Sequence, residues 1–326
     1  MMDRVNLHEE FVKELFRKVP QKSELVDAIS DILNIEREPA SRRLSEKVQF
    51  SAREIGLLSK ELGISLDSMI HDTNQQCWIP FLFKPPLGVK SMESLCDLMN
   101  NNLKQMEDII KAPSQYKCIF NSLPMEFYIS HPYLMKFMFF KWGQYCVGTE
   151  EFDNFSTWQL PKQLNGIEER LKSIVSGFTY VLYIWDNAII WTLMEEIDYF
   201  HKMHVISDED REHIVNDLKE MLKQLEKHLK GISKFDMYPE NFDFYISNIN
   251  IGIICFYLFS EEKQHFSFNN YFTFSTSKYN DTHENYTHIK NWIDSFKNVS
   301  ALISGSGEIE RRLFFKKQHK IISEFH

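Results

Sequence analysis

The pattern of hydrophobic and polar positions divides the chain into a short helical beginning and a longer mixed remainder. Near the start, Leu25, Ile29 and Leu33 recur at the spacing that places side chains on one face of a helix. The same periodicity predicts four short helices, in residues 8–19, 22–35, 36–47 and 51–69. Later segments alternate between helical stripes and runs of aromatic and β-branched residues that are typical of strands.

The longer remainder is predicted to mix helices with a small sheet. Helices are expected in residues 91–112, 125–143, 187–203, 207–231, 284–304 and 308–325, and a strand in residues 177–184. Three further β-like runs, in residues 242–251, 252–259 and 266–277, suggest an antiparallel meander. The predicted fold class is therefore α+β and mostly α, with an N-terminal all-α domain before a larger helical domain that contains a small antiparallel sheet.

The junction between the second and third helices has the composition of a tight turn. Ser30 is small enough for a place where two helices cross, and Asn34 tolerates the left-handed backbone that such a turn needs. Pro39 suits the first turn of the next helix, because its missing N–H has no helical partner there. Ala40 and Leu44 are expected to face inward, which leaves the opposite side of this helix available to a partner.

Hydroxyl and guanidinium groups cover that opposite side, and these groups are suited to reading base edges in the major groove of DNA. We expect base contacts from Arg37, Ser41, Arg42 and Ser45. We expect phosphate contacts from Lys22, Arg43, Lys47 and Arg53, which lie on the same helix or at helix starts.

Residues 22–67 resemble the helix-turn-helix domain of the λ-repressor/Cro-like (XRE-type) group of transcriptional regulators. The run ASRRLSEK stands where such proteins carry the recognition helix, and KELGISLDSM is similar to the ending of their fourth helix. Asn34 stands at the turn where the family pattern has glycine. The resemblance implies double-stranded DNA as the partner. A homodimer follows from it, because one such domain covers only a half-site.

The charge of this region both opposes and supports DNA binding. Residues 1–75 hold 11 lysines and arginines against 14 aspartates and glutamates, and the whole chain has a net charge of −9. Between Arg37 and Lys60, however, there are six cationic residues and three acidic ones. Since DNA affinity depends heavily on phosphate neutralisation, contact with DNA must be confined to one face and should be sensitive to salt.

Length and composition set the predicted domain boundaries. With 326 residues the chain is long enough for two or three compact units. Prolines and a glycine exclude a helix from residues 71–89, which are apolar enough to dock as an extended arm. We predict a helix-turn-helix domain in residues 1–72, a linker arm and connecting helix in residues 73–112, and an effector or dimerisation domain in residues 113–326. The connecting helix either pairs with its twin in a dimer or begins the last domain.

Composition also points to a cellular location and to a possible ligand. The five cysteines are scattered without a C-x-x-C pair, residues 1–20 are charged throughout, and no segment has 18 uninterrupted apolar residues. We expect a cytoplasmic protein without a signal peptide or membrane contact. The 14% aromatic content suits a small-molecule effector pocket between residues 242–277 and the neighbouring helices.

Few residue patterns favour chemistry. Asp198, His201 and His204 could share a helix face as a metal-ligand set, and the glycine-rich residues 304–308 could hold an anion at a helix start. Solvated surface and a plain helix junction are the alternatives. No nucleophile or phosphate-loop motif is present in the sequence. We therefore expect no catalytic residue, no metal site and no cofactor.

Three functions remain open on the sequence. The leading one is a non-enzymatic transcriptional regulator that binds specific DNA sequences and carries a C-terminal ligand-sensing or dimerisation domain. The second is a protein–protein interaction module whose helix-turn-helix-like unit docks another protein. The third is an enzyme fused to a DNA-binding domain, with chemistry near His201 and Asp198.

Overall fold

The structure, a computed structural model, describes residues 6–64, 66, 91–148, 151–232, 241–251, 255–259, 265–269, 279–280 and 283–325. The predicted arm of residues 71–89 lies outside these ranges, as do parts of the predicted meander. The chain divides into two compact units, Met1–Phe81 and Leu82–His326.

The first unit contains the four predicted helices: α1 (Leu7–Lys18), α2 (Lys22–Leu33), α3 (Arg37–Leu44) and α4 (Ala52–Leu62). Their apolar faces enclose one small core around Phe11, Leu15, Leu25, Ile29 and Leu58, all fully buried. α3 is shorter than expected, because the backbone leaves the helix after Leu44 and Glu46 takes a left-handed conformation, with φ of 58°.

The turn between α2 and α3 has the predicted backbone. Asn34 adopts φ 53° and ψ 51°, the left-handed conformation, and the N–H of Ile35 donates to the carbonyl of Ser30 at 3.1 Å. Pro39 lies in the first turn of α3, and Ala40 and Leu44 are buried as expected. A short polar residue at the turn is thus sufficient to let α3 cross α2 without a glycine.

The second unit combines eight helices with seven strands in the described residues. The helices are α5 (Met92–Ile109), α6 (Met125–Tyr128), α7 (Pro132–Cys146), α8 (Ile167–Ser176), α9 (Ile189–Lys202), α10 (Asp208–Leu229), α11 (His283–Phe296) and α12 (Glu308–Glu324). The strands are β1 (Gln115–Phe120), β2 (Tyr180–Asp186), β3 (Phe242–Ser247), β4 (Cys255–Phe259), β5 (His265–Asn269), β6 (Tyr279–Asn280) and β7 (Ser300–Leu302). The chain is mostly helical and α+β, as predicted.

The sheet is mixed, so the predicted antiparallel sheet is confirmed only in part. Its strand order is β6-β5-β4-β1-β2-β3-β7, and the three neighbours β1, β2 and β3 run parallel. β4 and β5 pair antiparallel as expected, but β3 pairs with β2 and β7 instead of β4. Sequence neighbours in a β-rich region therefore separate to opposite sides of β1 and β2.

Two helical crossovers follow from the parallel pairing. Parallel neighbours cannot be joined by a hairpin, so α6, α7 and α8 connect β1 to β2, while α9 and α10 connect β2 to β3. Residues from these helices and from α5 and α12 share one hydrophobic core with one face of the sheet. α5 contributes Met92, Leu95 and Leu103 to that core, so it packs as part of the second unit.

Two predicted helices are interrupted in the structure. The segment 125–143 forms α6 and α7 because Pro132 lacks an N–H and restricts the residue before it. The carboxylate of Asp217 on α10 accepts hydrogen bonds from the N–H groups of Tyr133 and Leu134, at 2.7 and 3.0 Å, and so caps the new helix. In the segment 284–304 the α-helix ends at Phe296, Lys297–Val299 forms one 3-10 turn, and Ser300–Leu302 joins the free edge of β3 as β7.

A buried carboxyl group lies in the main core. Glu126 on α6 is fully enclosed and accepts hydrogen bonds from the hydroxyls of Tyr183 at 3.0 Å and Tyr116 at 3.4 Å. Burial raises the pKa of Glu126 to about 6, although the two tyrosine hydroxyls oppose this rise. The folded state therefore binds a proton on Glu126 more readily than the unfolded chain does.

We predict that this carboxyl makes the second unit less stable as pH rises. The pKa is higher in the folded than in the unfolded chain, so the stabilisation is complete near pH 4 and is lost as pH passes about 6. Relative to Glu126→Gln, the wild type should lose about 2 kcal/mol of unfolding free energy between pH 4.5 and 7. Urea unfolding of both proteins over this range measures the difference.

The matched control is Glu310→Gln, which removes an exposed carboxyl on α12. Its unfolding free energy should follow that of the wild type at every pH. A constant gap between wild type and Glu126→Gln would show that Glu126 does not titrate with folding.

Candidate nucleic-acid interface

The orientation of α3 is set by two small apolar anchors. Ala40 and Leu44 lie one turn apart and are 0% and 5% exposed, so they fix which side of the helix meets α2. At 100° per residue, Arg42 lies on the opposite side, and its side chain is exposed. α3 therefore presents one guanidinium at the centre of its outward face.

The predicted base-contacting residues surround Arg42 unequally. Ser45 is exposed, and its hydroxyl donates to the backbone carbonyl of Arg42 at 3.2 Å. Ser41 is half-buried at the side of the helix. Arg37 is exposed at the start of α3, where its guanidinium pairs with Asp27 and lies 3.4 Å from the hydroxyl of Ser23, both on α2.

An acidic residue also belongs to this face, and the sequence analysis did not assign it a role. Glu38 is exposed and lies one helical turn before Arg42. A carboxylate at a major-groove surface repels phosphates but accepts a hydrogen bond from the amino group of cytosine. In the sequence, the four-residue spacing between Glu38 and Arg42 indicates that both side chains lie on the same face of α3.

Three of the four predicted phosphate-contacting residues are accessible. Lys22 at the start of α2, Lys47 after α3 and Arg53 in the first turn of α4 are all exposed. They come from three different segments of the same unit. Together with Arg42, they are the exposed cations among the predicted contact residues. Arg37 is also exposed, but it pairs with Asp27.

Arg43, the fourth residue of that set, is bound within the unit. Its Nε and Nη2 donate to the two carboxylate oxygens of Glu54 at 3.2 and 2.8 Å, and its Nη1 donates to the carbonyl of Pro39 at 3.2 Å. Both charged side chains are only 18% exposed. This bidentate pair joins α3 to α4 and occupies the guanidinium that we had expected to contact phosphate.

The same carboxylate caps α4. The hydroxyl of Ser51 accepts from the N–H of Glu54, and the carboxylate of Glu54 accepts from the N–H of Ser51 at 2.8 Å, which completes a capping box. Burial raises the pKa of Glu54, but the Ser51 N–H and the Arg43 guanidinium outweigh it and hold the pKa below its ordinary value. Glu54 is thus kept ionised between two helices.

The sequence patterns that favoured chemistry are separated in the structure. The carboxylate of Asp198 pairs with Lys202 at 2.6 Å, whereas Nε2 of His201 lies 2.6 Å from Asp208. His204 is exposed in a turn. Among the side chains that the structure describes, no group of three histidine, cysteine or acidic residues lies together as a metal site requires.

The glycine-rich residues 304–308 form a tight junction that the protein fills itself. A Cβ at Gly307 would lie 2.0 Å from the carbonyl oxygen of Leu302, so only glycine fits there. The buried guanidinium of Arg311 donates to the carbonyls of Ile303 and Gly305, at 2.8 and 3.3 Å. The space in which an anion was considered is occupied by this side chain.

The expected aromatic pocket between sheet and helices is closed around the described residues. Phe127 of α6 meets the rings of Trp185 and Phe244 at 4.6 and 5.9 Å between centroids, and all three are nearly or fully buried. These contacts are those of a packed core. An effector site in that position is therefore not supported by the packing.

A different concave surface lies between α7 and α9. The groove has a volume of about 700 Å³ and is lined partly by Tyr145, Trp191, Tyr199 and Met203, each of them about half exposed or more. The Lys141–Glu196 ion pair, 2.7 Å long, lies in the same groove. Four large apolar side chains on one surface are typical of a binding surface.

Comparison of the chain with known protein families, with curated proteins and with solved structures returned no match. The resemblance of residues 22–67 to a family of regulators consequently stays a prediction. Within the described residues, no helix has both the length and the apolar character needed to cross a bilayer.

We predict that Arg43 stabilises the first unit through Glu54. Arg43→Met and Glu54→Gln should each lower the unfolding free energy, because each leaves a partly buried charge without its partner. A double-mutant cycle should give a coupling of about 1 kcal/mol. Chemical denaturation of the full-length chain, followed by the transition of its first unit, measures it.

Arg42→Met is the matched control, since it removes the neighbouring but exposed guanidinium. It should change stability by less than about 0.5 kcal/mol. A coupling near zero between Arg43 and Glu54 would return Arg43 to the set of candidate phosphate contacts.

Proposed function

We propose that this protein is a sequence-specific double-stranded DNA-binding transcriptional regulator whose second unit provides dimerisation or ligand sensing. The observation that carries the proposal is the geometry of α2, the left-handed turn at Asn34, and α3. That geometry leaves one face of a short helix open, with Arg42 at its centre and hydroxyl groups beside it.

A short helix held in this way suits the major groove, which is wide enough to admit one α-helix. Arg42 is the residue best placed for a bidentate contact with guanine, because it projects directly away from the anchors Ala40 and Leu44. Glu38, one turn earlier, adds a candidate contact to cytosine. The cation and the anion together would favour a G·C-containing site over an A·T-rich one.

The phosphate contacts are assigned to Lys22, Lys47 and Arg53. Each is exposed, and the three lie in different segments: at the start of α2, after α3 and in the first turn of α4. With so few cations, affinity from one copy should be modest and should fall steeply with salt. Two copies bound to two half-sites would double these contacts, which is the reason to include a homodimer in the proposal.

The second unit offers the groove between α7 and α9 as its binding surface. Trp191, Glu195 and Tyr199 form one exposed stripe along α9 at four-residue spacing. Aromatic side chains on a helix surface are enriched at protein interfaces. We therefore place self-association at this groove, with a small-molecule effector as the other candidate occupant.

A protein–protein interaction module is the second candidate function. The excess of acids over cations in residues 1–75 and the carboxylate of Glu38 on the outward face favour it, since both oppose approach to phosphates. The enzyme hypothesis depended on a shared ligand set at His201 and Asp198. These residues form separate ion pairs, so that set does not support the hypothesis.

We predict that Arg42 and Lys47 contribute differently to DNA binding. Arg42→Ala should cost about 1–3 kcal/mol on the preferred site and relax specificity, because it removes a base contact. Lys47→Ala should weaken binding to all sequences about equally, because it removes a phosphate contact. Gel shifts on a selected site and on random duplex DNA separate the two effects.

Lys13→Ala is the control for lost charge, since Lys13 lies on α1, is 60% exposed and pairs with Glu9 and Glu10 of the same helix. It should bind DNA like the wild type. If Arg42→Ala and Lys47→Ala also match the wild type on both DNAs, α3 is not the reading helix. If wild-type protein selects no sequence from genomic fragments, the interaction-module alternative takes its place.

We predict that the full-length chain is a dimer that depends on the α9 stripe. Trp191→Ser combined with Tyr199→Ser should yield a monomer, because it removes the largest exposed apolar surface of the groove. Light scattering at tens of micromolar gives the mass. Ile309→Ser combined with Leu313→Ser is the control, as these residues are also exposed but lie on α12. A monomeric wild type would contradict the prediction.

A further inference from the structure

One lysine lies in the interior of the sheet, where lysine is rarely found. Lys117 is the third residue of β1, and its side chain is only 7% exposed. It alternates with Tyr116 and Cys118, which face the main core. Lys117 therefore projects from the opposite face of the sheet, toward α11.

The counter-ion of Lys117 is shared with two further lysines. Asp294 on α11 lies 3.5 Å from the Lys117 ammonium, 3.6 Å from that of Lys290 and 3.9 Å from that of Lys297. All three distances exceed the 2.7–2.9 Å typical of a charge-assisted hydrogen bond. A single carboxylate thus lies among three cations and forms a tight bond with none of them.

The neighbouring carboxylate does not complete the balance. Asp243, on β3 of the same face, accepts a hydrogen bond from the hydroxyl of Tyr180 at 2.7 Å. Burial, followed by that hydrogen bond, raises the pKa of the Tyr180 phenol, so the hydroxyl remains a neutral donor. Three ammonium groups and two carboxylates leave the described cluster with one positive charge.

Repulsion among the three ammonium groups makes this arrangement unfavourable in free energy unless an anion binds to it. Burial lowers the pKa of the Lys117 ammonium, Asp294 opposes that change, and Lys290 and Lys297 reinforce it. Each ammonium has three N–H donors, whereas one carboxylate offers about four acceptor positions in all. An oxyanion would supply both the missing charge and the missing acceptors.

The cluster is open to a ligand from the side of α11. The side chains of Lys290, Asp294 and Lys297 are 35%, 33% and 29% exposed, so they form an accessible rim above the buried Lys117. The ring of Tyr245 lies 5.7 Å from the Lys297 ammonium at the same place. A polar rim with an aromatic wall suits an organic anion better than a bare ion.

We propose that Lys117, Lys290 and Lys297 form a binding site for the phosphate or carboxylate group of a small organic anion, between β1 and α11. Asp294 lies among the three ammonium groups, and Lys117 is the floor of the site. This site consists of residues of the second unit other than those that line the groove between α7 and α9. It does not depend on DNA binding.

The test is anion binding by the full-length chain. Inorganic phosphate and succinate, each titrated at constant ionic strength against chloride, represent the two chemical sources. At least one of them should raise the melting temperature in a saturable way, by a few degrees at tenfold excess over its Kd. Isothermal titration calorimetry should give the same Kd.

Lys290→Gln combined with Lys297→Gln should weaken that binding at least about tenfold. Both side chains lie at the rim, so the variant should fold. Lys117→Met should also abolish binding while it keeps the volume of the buried side chain. Lys316→Gln combined with Lys317→Gln removes the same charge from exposed positions on α12 and should bind like the wild type.

The responses to phosphate and to succinate identify the chemical class of the ligand. A response to phosphate alone assigns a phosphate ligand, and a response to succinate alone assigns a carboxylate ligand. The proposal is overturned if neither anion gives a saturable response. It is equally overturned if the response is unchanged in the Lys290/Lys297 variant or is lost to the same degree in the Lys316/Lys317 control.

Discussion

Parallel pairing of β1 with β2 and of β2 with β3 is the constraint on which the second unit depends. Each pair requires a crossover, and both crossovers place their helices against the same face of the sheet. That face becomes the large aromatic core. The other face is left to α11, and it is the face from which Lys117 projects toward Asp294.

The buried polar groups on the two faces of the sheet are stabilised in different ways. On the helical face, Glu126 is enclosed by two tyrosine hydroxyls and gains stability by taking up a proton. On the α11 face, Lys117 remains close to solvent-accessible charges and shares Asp294 with two other lysines. The first arrangement needs no further charged partner, whereas the second leaves one net positive charge in the described cluster.

The first unit depends on the crossing of α2 and α3. Ala40 and Leu44 orient α3 against α2, and the Arg43–Glu54 pair attaches its far end to α4. The two adjacent arginines therefore have separate roles: Arg43 attaches α3 to α4, and Arg42 remains exposed. This division gives the proposed DNA contact a rigid base, which a specific base contact requires.

The local elements of both units follow from the sequence alone. Periodic apolar residues gave α1 to α4 and the long helix α10, and the tolerance of Asn34 for left-handed backbone gave the turn. Such features depend on residues within a few positions of one another, so a single segment carries all the information. The exposed position of Arg42 could be predicted for the same reason, because Arg42 lies opposite the two anchors.

The pairing of strands and the pairing of charged side chains depend on contacts between distant segments. β1 was not predicted, since QYKCIF carries a lysine in its middle and has no alternation of polar residues. β3 and β4 were predicted as neighbours, but the choice of strand partner depends on helices distant in sequence. Arg42 and Arg43 are adjacent and chemically identical, and the carboxylate that occupies the Arg43 guanidinium comes from Glu54, eleven residues beyond it. Side-chain pairing across elements is set by packing, which no local pattern contains.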